Sequence, residues 1–504
     1  MKTIDLGPVT RIEGHLNVRS TVENGVIVDA QCISEMFRGF EMFLVGRDPL
    51  DAQQITQRIC GVCPYAHAIA SSYAQEDAYG LKAPPNGRIL HNLIQGANHL
   101  YDYLLHFYQL SALDFVDVTA IQNYQGNDAD LKKIKSWVAW QLTSGNPSPA
   151  TPFLPQLSGT YIDDSELNIM ALKHYVEAMS LQKKANQAAA IFGGRFPHST
   201  AIFPGGCTQH ARVDLILAYQ ALISEVREFI HGKYIPDVVA VAQKFPEYWK
   251  IGASKGGFLS YGHLPFSPAL DSKRLLAPGV LIDGKLSPVD FKKITQDTKY
   301  SKYSSASGLN IRDSAITPAP GKSEAYSWTK APRYDGQVLE VGPAARVLID
   351  YQQGNNPEIR ELVDRFAAVA GITADNLNSV LGRHLSRAIL AATIADFLLE
   401  ESDRIDPEGP TMADLKIPKS AEGVGATEAS RGALLHYIRI ENYKIEKYEC
   451  VVPTTWNCSP RDDRGNPGAM EAALIGTSVN DPEEQIEALR IVHSFDPCIA
   501  CSVH

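Results

Sequence analysis

The sequence contains no long apolar segment. A helix that spans a bilayer needs about 20 consecutive apolar residues, and no run among the 504 residues approaches that length. Residues 1–5 also lack the apolar core of a secretory signal peptide. We therefore expect a chain that contacts membranes only through partners and that leaves the cytoplasm, if it does so, on a partner's signal.

Positive charge is in deficit. The chain has 47 Lys and Arg residues against 57 Asp and Glu residues, which gives a net charge of −10. Nucleic acids would repel such a chain, so this balance excludes them as expected partners. Hydrophobic residues make up 44% of the sequence, which is enough for a chain of this length to bury a large core.

Cysteine is also scarce. Eight cysteines are too few for a disulfide scaffold in a chain of this size. Four of them form two C-x-x-C pairs, Cys60 with Cys63 and Cys498 with Cys501, whose soft sulfur ligands favour zinc, iron, copper(I) or nickel. The other four stand alone and are predicted to fill the core; they are Cys32, Cys207, Cys450 and Cys458.

The two cysteine pairs are far apart in the chain. Cys498 follows Cys63 by 435 residues, whereas zinc ribbons and fingers close their sites within a few tens of residues. Length alone suggests about three domains of roughly 150 residues. A site that joins both ends of the chain instead predicts one catalytic domain, residues 1–504, with the metal site buried inside it.

Hydrophobic periodicity predicts an α+β fold that is mainly α, with a central long-helix bundle and small flanking β-sheets. Period-3.6 stripes indicate helices over 165–193, 212–244 and 357–402, and an Asn24-Gly25 turn between alternating segments indicates a β-hairpin. The predicted regions are an N-terminal β region (1–48), a helical core (49–245), an irregular and β cover (246–350), a second helical region (351–405), and a β and C-terminal metal-binding segment (406–504).

The first cysteine pair is predicted to lie at a helix start. Pro64 suits an early helical position because it has no N–H to leave unpaired. Cys60, Cys63 and His67 would then share one helix face, and the helix N-terminus would lower the pKa of the thiols. His67 is interpreted as a donor to a coordinating sulfur; a metal ligand and an ordinary core histidine are the alternatives.

The second pair has a similar arrangement, with Cys498, Cys501 and His504 at i, i+3 and i+6. A metal site here draws the end of the sequence into the interior, where a terminal carboxylate is costly unless a cation is close. We expect either a second, hard metal bound by His504 or proteolytic removal of a tail after the site is built.

These motifs resemble the large subunit of [NiFe] hydrogenases. The resemblance rests on the two cysteine motifs, at 58–63 and 496–504, and on shorter blocks that extend it over the whole chain. Those blocks lie at residues 9–15, 38–41, 106–110, 331–334, 340–343 and 452–457. In the selenium-containing subgroup the position of Cys498 is a selenocysteine, so the cysteine here implies the nickel–iron form.

The resemblance implies the reaction and its centre. It implies reversible heterolytic cleavage of dihydrogen to two protons and two electrons by an oxidoreductase with a nickel–iron centre, whose iron carries carbon monoxide and cyanide. Cys60 and Cys498 are then the terminal nickel ligands, and Cys63 and Cys501 bridge nickel to iron. His67 corresponds to the histidine beside a bridging sulfur.

Glu13 corresponds to the family's glutamate that passes protons to and from the terminal thiolate, here Cys498. Heterolytic cleavage releases a proton that a base must take, and a partly buried glutamate has a suitable pKa. Taken alone, Glu13 would be interpreted as a surface carboxylate or a salt-bridge partner, and only the surrounding motif favours the catalytic role.

The resemblance also implies a group of charged residues above the metals, Arg431 with Asp102 and Asp496, which we call the canopy. Arg431 corresponds to the arginine held over the open metal site, and Asp102 and Asp496 to the carboxylates that orient it. Thr454 corresponds to a hydroxyl that hydrogen-bonds a cyanide. The family usually has proline immediately before this arginine, whereas this chain has Ser430. The serine adds a hydrogen-bond donor beside a cyanide. Oxygen tolerance and catalytic bias are therefore not carried over from the family.

A second metal is implied near the end of the chain. Glu41, His504 and the backbone carbonyl of Cys450 correspond to ligands of a Mg²⁺ (in some members Fe²⁺), for which such hard donors are suited. The chain also ends where the processed family subunit ends, which implies trimming by a maturation protease.

The remaining cysteines are too scattered to hold an iron–sulfur cluster, which typically takes four. Iron–sulfur clusters are therefore expected only in a partner small subunit, which makes the functional unit at least a heterodimer. That subunit's export signal would give a periplasmic or membrane-associated location, with a cytoplasmic one left open. The alternative hypothesis is a non-catalytic protein with a structural zinc, or a redox-silent relative, but neither explains Glu13, Arg431, Asp102 and Asp496 together.

Overall fold

Long helices form the centre of the structure, a computed structural model that describes residues 1–148, 151–267 and 273–504. Two π-helical turns, His106–Ser111 and Ile230–Tyr234, continue helices α4 and α7. The helices are α1 (Phe40–Leu44), α2 (Asp51–Thr56), α3 (Pro64–Tyr79), α4 (Pro85–Leu105), α5 (Ala129–Thr143), α6 (Ser165–Gly193), α7 (Val213–Phe229), α8 (Ile235–Lys244), α9 (Pro343–Gln353), α10 (Pro357–Ala370), α11 (Val380–Ser402), α12 (Pro453–Asn457), α13 (Ala469–Leu474), α14 (Ile486–Phe495) and α15 (Ile499–Ser502).

Small sheets surround this helical centre. Their strand orders are β1-β2-β3, β12-β6-β7-β8, β10-β9-β11, β13-β14-β15 and β4-β5. The strands are β1 (Lys2–Leu6), β2 (Leu16–Glu23), β3 (Val26–Ser34), β4 (Ile202–Phe203), β5 (Gly206–Cys207), β6 (Gly257–Pro265), β7 (Arg274–Ile282), β8 (Lys285–Ser287), β9 (Ile294–Asp297), β10 (Leu309–Asn310), β11 (Ala331–Tyr334), β12 (Leu339–Val341), β13 (Ser420–Ala429), β14 (Gly432–Glu441) and β15 (Lys444–Val451). The mainly-α α+β fold predicted from the sequence is confirmed.

Helix α4 forms the middle of the bundle and is buried along nearly its whole length. It packs against α6 and α11. Gly96 lets α11 approach closely, because a Cβ at this position would lie 2.5 Å from Leu398 Cδ2. This close packing fixes Asp102, near the end of α4, in the interior.

Strand β13 lies directly on helix α3, and two glycines make this contact possible. A Cβ at Gly425 would lie 2.0 Å from the carbonyl oxygen of Ala70, and one at Gly423 would lie 2.2 Å from that of Ala74. The sheet therefore lies against the helix whose N-cap is Cys63. As a result, the turn between β13 and β14 reaches the start of α3.

The structure matches several local expectations. The Asn24-Gly25 turn joins β2 and β3, with β1 added at the edge, and α6 has the bounds expected from periodicity. The helix expected over 357–402 is interrupted at Gly371, which has a φ of +65° and ends α10. Helix α9 begins at Pro343, inside the segment expected to be irregular, and ends at Gln353 in the region expected to be helical. The five-region division of the chain stays a prediction.

The four isolated cysteines are buried, as expected for core residues. None of the described helices is both long and apolar enough to span a bilayer.

Candidate metal centre

The two ends of the chain meet beside Glu13. Its backbone N–H donates to the carbonyl of Pro497 at 3.2 Å, and its carbonyl accepts from the N–H of Ile499 at 2.7 Å. Glu13 and Cys498 thus form a parallel β-bridge. This backbone pairing fixes the register of the second cysteine motif against the N-terminal segment.

Cys63 is the N-cap of α3, and Pro64 occupies the first helical turn, as predicted. The prediction that Cys60 shares the helix face was wrong, because its backbone is extended (φ −135°, ψ 146°) and a turn separates it from the helix. That turn directs the N–H groups of Val62 and Cys63 at Cys60 Sγ, each at 3.3 Å. In the second motif, Cys498 likewise caps the short helix α15.

The four sulfur atoms form one buried cluster. Cys60 Sγ lies 3.5 Å from Cys498 Sγ, and Cys63 Sγ lies 3.5 Å from Cys501 Sγ. All four lie within 4.8 Å of one another, and each residue is at most 3% exposed. A dry set of four convergent thiols fits a soft metal centre and leaves little other use for so much buried sulfur.

The thiols do not titrate alike. Burial raises the pKa of Cys60, but hydrogen bonds from the other three thiols and the charge of Arg431 outweigh it, so this pKa falls well below its usual value. The pKa values of Cys63, Cys498 and Cys501 are raised. The expectation that the helix N-terminus lowers the pKa of both members of the first pair was therefore wrong for Cys63. Hydrogen bonds with Cys498 and Cys501 lower the pKa of Cys63, but the hydrogen bond and charge of Cys60, together with burial, outweigh them.

The Glu13 side chain reaches the cluster. Its Oε2 lies 3.2 Å from Cys498 Sγ and accepts the N–H of Ala500 at 3.0 Å. Burial and the charge of Cys60 raise the pKa of Glu13. The carboxyl group can therefore carry a proton closer to neutral pH than an exposed glutamate can.

Arg431 is held over the cluster from two sides. Its Nη1 lies 3.3 Å from Asp102 Oδ2, and its Nη2 donates to Asp496 Oδ1 at 3.0 Å. Ser430 donates its hydroxyl to Asp102, and its carbonyl accepts from Arg346 at 2.6 Å. Burial raises the pKa of Asp102 to about 7, against the attraction of Arg431.

Known proteins match this chain along its full length. Residues 38–504 match the family described as nickel-dependent hydrogenase. The periplasmic [NiFeSe] hydrogenase large subunit of Desulfomicrobium baculatum is 38% identical, with 99% of this chain and 94% of that protein covered. The hydrogenase-1 large chain of Escherichia coli K12 is 36% identical over the same shares.

Solved hydrogenase structures also match this chain along its full length. The reduced Ni-Fe-Se hydrogenase of D. vulgaris Hildenborough superposes with a TM-score of 0.88 at 39% identity, covering 100% of both chains. The chain belongs to the nickel-dependent hydrogenase family. It is the catalytic chain for reversible cleavage of dihydrogen at a nickel–iron centre. Unlike a selenocysteine protein, this hydrogenase sequence has cysteine at position 498.

Two further residues from the sequence analysis lie beside the centre of this hydrogenase. Thr454 Oγ1 accepts the N–H of Cys498 at 3.0 Å, which leaves its own hydroxyl hydrogen for another acceptor. His67 is buried one helical turn beyond Cys63 on α3, with Nδ1 lying 3.1 Å from Nε2 of His436. The sequence analysis did not identify His436, because nothing in its local pattern links it to α3.

A second cluster joins Glu41, Cys450 and His504, all buried. Glu41 Oε1 accepts the N–H of Cys450 at 2.8 Å and lies 3.2 Å from His504 Nε2. Burial raises the pKa of Glu41, but Lys330 and His504 outweigh it and lower this pKa to about 2. Lys330 Nζ lies 3.6 Å from a carboxylate oxygen of Glu41 and 2.5 Å from one of Glu449. The positive charge of Lys330 is therefore shared between two carboxylates.

The structure also brings three arginines and one histidine together near Cys60, a group that we call the cationic collar. It consists of Arg38, Arg58, Arg195 and His198. His198 Nε2 lies 3.3 Å from the carbonyl oxygen of Cys60. Arg58 belongs to the first cysteine motif and Arg38 to the block at 38–41, whereas His198 lies 138 residues from Cys60 and carries no local signal.

Proposed function

We propose that the four clustered cysteines hold the nickel–iron centre, with Cys60 and Cys498 as terminal nickel ligands and Cys63 and Cys501 as bridges to iron. The observation that carries this assignment is the division of the cluster into two close pairs, each with one sulfur from either end of the chain. When bound, the centre supplies the redox chemistry that takes two electrons from dihydrogen. The experiment that tests the function is exchange of dihydrogen with deuterated water by the purified mature enzyme, and absence of exchange would contradict it.

In this proposal Glu13 is the proton carrier. Its Oε2 lies within reach of Cys498 Sγ, so a proton on that sulfur can pass to the carboxylate. Burial and the charge of Cys60 raise the pKa of Glu13, so the group holds this proton at a higher pH than an exposed glutamate would. Gly14 and His15, the next two residues, are exposed, so the carrier lies next to the surface.

Arg431 is proposed as the charge that faces the reacting position. Asp102 and Asp496 fix the guanidinium, and the burial of all three residues excludes bulk water, which strengthens their electrostatic effect. We also propose that the iron carries carbon monoxide and cyanide, with Thr454 as a hydroxyl donor to a cyanide. Ser430 gives its single hydroxyl hydrogen to Asp102 and is therefore proposed as a support for the canopy rather than a second donor to cyanide.

The cluster of Glu41, Cys450 and His504 is proposed as a site for Mg²⁺ or Fe²⁺. Burial, with Glu41 and Glu449 contributing, raises the pKa of the Cys450 thiol well above its usual value, so the thiol stays protonated and the carbonyl is the better donor. The carboxylate of Glu41 remains ionised and directed at His504. Together these donors suit a hard cation that holds the end of the chain in place.

Replacing Glu41 with glutamine should release this cation and loosen the C-terminal segment, because a neutral amide is a much weaker ligand for a hard ion. We expect loss of bound Mg²⁺ or Fe²⁺ by elemental analysis and faster hydrogen exchange over residues 499–504. Glu446→Gln, an exposed carboxylate on β15 that pairs with Arg439, is the matched control. Unchanged cation content and exchange in Glu41→Gln would contradict the site.

A partner that carries iron–sulfur clusters is proposed to dock on the cationic collar. Among the described residues, no carboxylate lies within ion-pair distance of Arg38, Arg58 or Arg195, although acidic residues outnumber basic ones in the chain. These guanidiniums donate to neutral oxygens instead, such as Gln54 O for Arg58 at 2.6 Å. Unpaired positive charge next to a metal ligand suits an anionic, electron-carrying group, and the partner's export would give a periplasmic location.

Charge reversal in the collar should weaken this docking. Arg58→Glu should lower the affinity of the chain for its small subunit by more than about tenfold at low salt, because like charges would then meet at the interface. The measurement is a binding titration at two ionic strengths. Arg365→Glu, an exposed arginine on α10, is the control. Equal affinities of both variants and the wild type would move the interface elsewhere.

A further inference from the structure

One histidine outside the sites described above, His493, joins the two ends of the chain. It lies on α14, which leads into the second cysteine motif, and it is only 2% exposed. Its Nε2 lies 2.9 Å from the carbonyl oxygen of Thr10, three residues before Glu13. Its Nδ1 lies 2.6 Å from Oδ2 of Asp114, which is equally buried. Both ring nitrogens therefore face an oxygen atom.

The chemistry of these two oxygens determines how many hydrogens the ring carries. A backbone carbonyl has no hydrogen to give, so the hydrogen in the contact with Thr10 must lie on Nε2 of His493. A carboxylate also only accepts while it is ionised. If Asp114 is ionised, Nδ1 must donate as well, and His493 is a positively charged imidazolium.

Asp114 is held in its ionised form by neighbouring positive charge. Its Oδ1 accepts from Nη2 of Arg11 at 2.5 Å. Burial raises the pKa of Asp114, but the charges of Arg11 and His493 and their hydrogen bonds outweigh it and keep this pKa below its usual value. Two further neighbours leave the pair undisturbed. Arg490 donates to the backbone carbonyl of Asp114 at 2.7 Å. His106 donates to the backbone carbonyl of His493, also at 2.7 Å.

The same group of contacts holds the segment that carries Glu13. Arg11 has a φ of +57°, which a non-glycine residue rarely adopts without support, and its Nη1 donates to the carbonyl of Leu110 at 2.8 Å. Two residues later, the backbone of Glu13 pairs with the residues on either side of Cys498. The N-terminal and C-terminal segments are therefore joined twice, once by His493 and once by Glu13.

The backbone of His493 also supports the canopy. Its carbonyl accepts the N–H of Asp496 at 3.0 Å, where α14 ends with a left-handed residue (φ +58°). Asp496 in turn accepts from Arg431 at 3.0 Å. One buried residue thus contacts both the segment of Glu13 and the residue that holds the canopy arginine.

We propose that His493 is a permanently charged positioning residue that fixes Glu13 against Cys498. A neutral imidazole could place its single hydrogen on Nδ1, toward Asp114, and would then turn a lone pair toward the carbonyl oxygen of Thr10. The charged ring has no such alternative, so the contact with Thr10 is always made. His493 touches no substrate. Its effect on proton transfer passes through Glu13 and rests on the proposed function, whereas its charge does not.

The first test locates the hydrogens on His493 in the mature enzyme with its partner. Neutron crystallography at mildly alkaline pH, where an ordinary histidine is neutral, should show a hydrogen on both ring nitrogens. A single hydrogen on the ring would overturn the proposal even if no variant folds. This result does not depend on what the four cysteines bind, so it stays distinct from a failure of the proposed function.

The second test is the exchange of dihydrogen with deuterated water by His493→Gln. A glutamine amide has one donating nitrogen and cannot hold Asp114 and Thr10 on opposite sides. Exchange per bound nickel should fall by about 10–100-fold, as part of the contribution of a positioned acid or base. The initial ratio of HD to D2 should rise, because slower proton removal replaces fewer hydrogens in each binding event. A merely structural loss would lower the nickel content without changing this ratio.

His91→Gln is the matched control. His91 on α4 is fully buried, and its Nε2 lies 2.7 Å from the carbonyl oxygen of Gly206 on β5. This variant also loses a buried histidine that faces a carbonyl, and it should keep the wild-type rate per nickel and the wild-type isotope ratio. The same two values in His493→Gln would overturn the positioning role.

Discussion

Cys498→Ala is expected to abolish stable nickel binding. The substitution removes one sulfur of a four-sulfur cluster and deprives Cys60 of its partner at 3.5 Å. Loss of groups that only support metal ligands typically costs 10–100-fold in metal affinity, so loss of a ligand should cost more than about 100-fold. Nickel per chain, measured after anaerobic purification, is the readout.

The matched control is Cys458→Ala. Cys458 is equally buried but lies outside the cluster, where its Sγ contacts Met470 Sδ at 3.8 Å. This variant also loses a buried thiol, and it should retain the full nickel content. Full nickel occupancy in Cys498→Ala, in a protein with wild-type secondary structure, would remove Cys498 from the ligand set.

Glu13→Gln is expected to stop the exchange of dihydrogen with solvent deuterium while nickel and iron stay bound. Glutamine keeps the shape of the side chain and an oxygen that can accept the Ala500 N–H, but it cannot take a proton from Cys498. A positioned acid or base contributes about 10²–10⁴-fold to such steps. Mass spectrometry of the gas phase, with metal analysis of the same sample, measures both quantities.

Glu35→Gln provides the comparison for this second prediction. Glu35 is an exposed carboxylate that accepts a hydrogen bond from Asn17 at 2.6 Å and does not approach the sulfur cluster. Its variant should exchange at the wild-type rate. If Glu13→Gln also exchanged normally, the proton would have to leave the centre by a route that avoids Glu13.

The sequence allowed prediction of features that depend on local patterns. Alternation around Asn24-Gly25 predicted the β2–β3 hairpin, and a period-3.6 stripe predicted α6, which the structure caps with Asp164. The cysteine spacing predicted a shared metal site, and the four sulfurs do converge. In each case the residues themselves carry the physical cause, either a turn preference or ligand chemistry.

Features that depend on distant contacts could not be predicted in the same way. The backbone at Cys60 is extended because N–H groups of the following turn point at its sulfur, which helical spacing alone does not reveal. His198 reaches Cys60 from a loop distant in sequence, and His436 on strand β14 reaches His67 on helix α3. Such pairings are set by packing of whole elements, for example β13 on α3.

The measurement that tests the central claim most directly is the nickel and iron content of the purified enzyme together with its infrared spectrum. The account predicts nickel and iron in equal amounts, beyond any iron of a partner, with stretching bands of metal-bound carbonyl and cyanide. Zinc alone, with no such bands, would contradict the assignment of a nickel–iron centre. The roles proposed for Glu13, Arg431 and the four cysteines would then all be wrong.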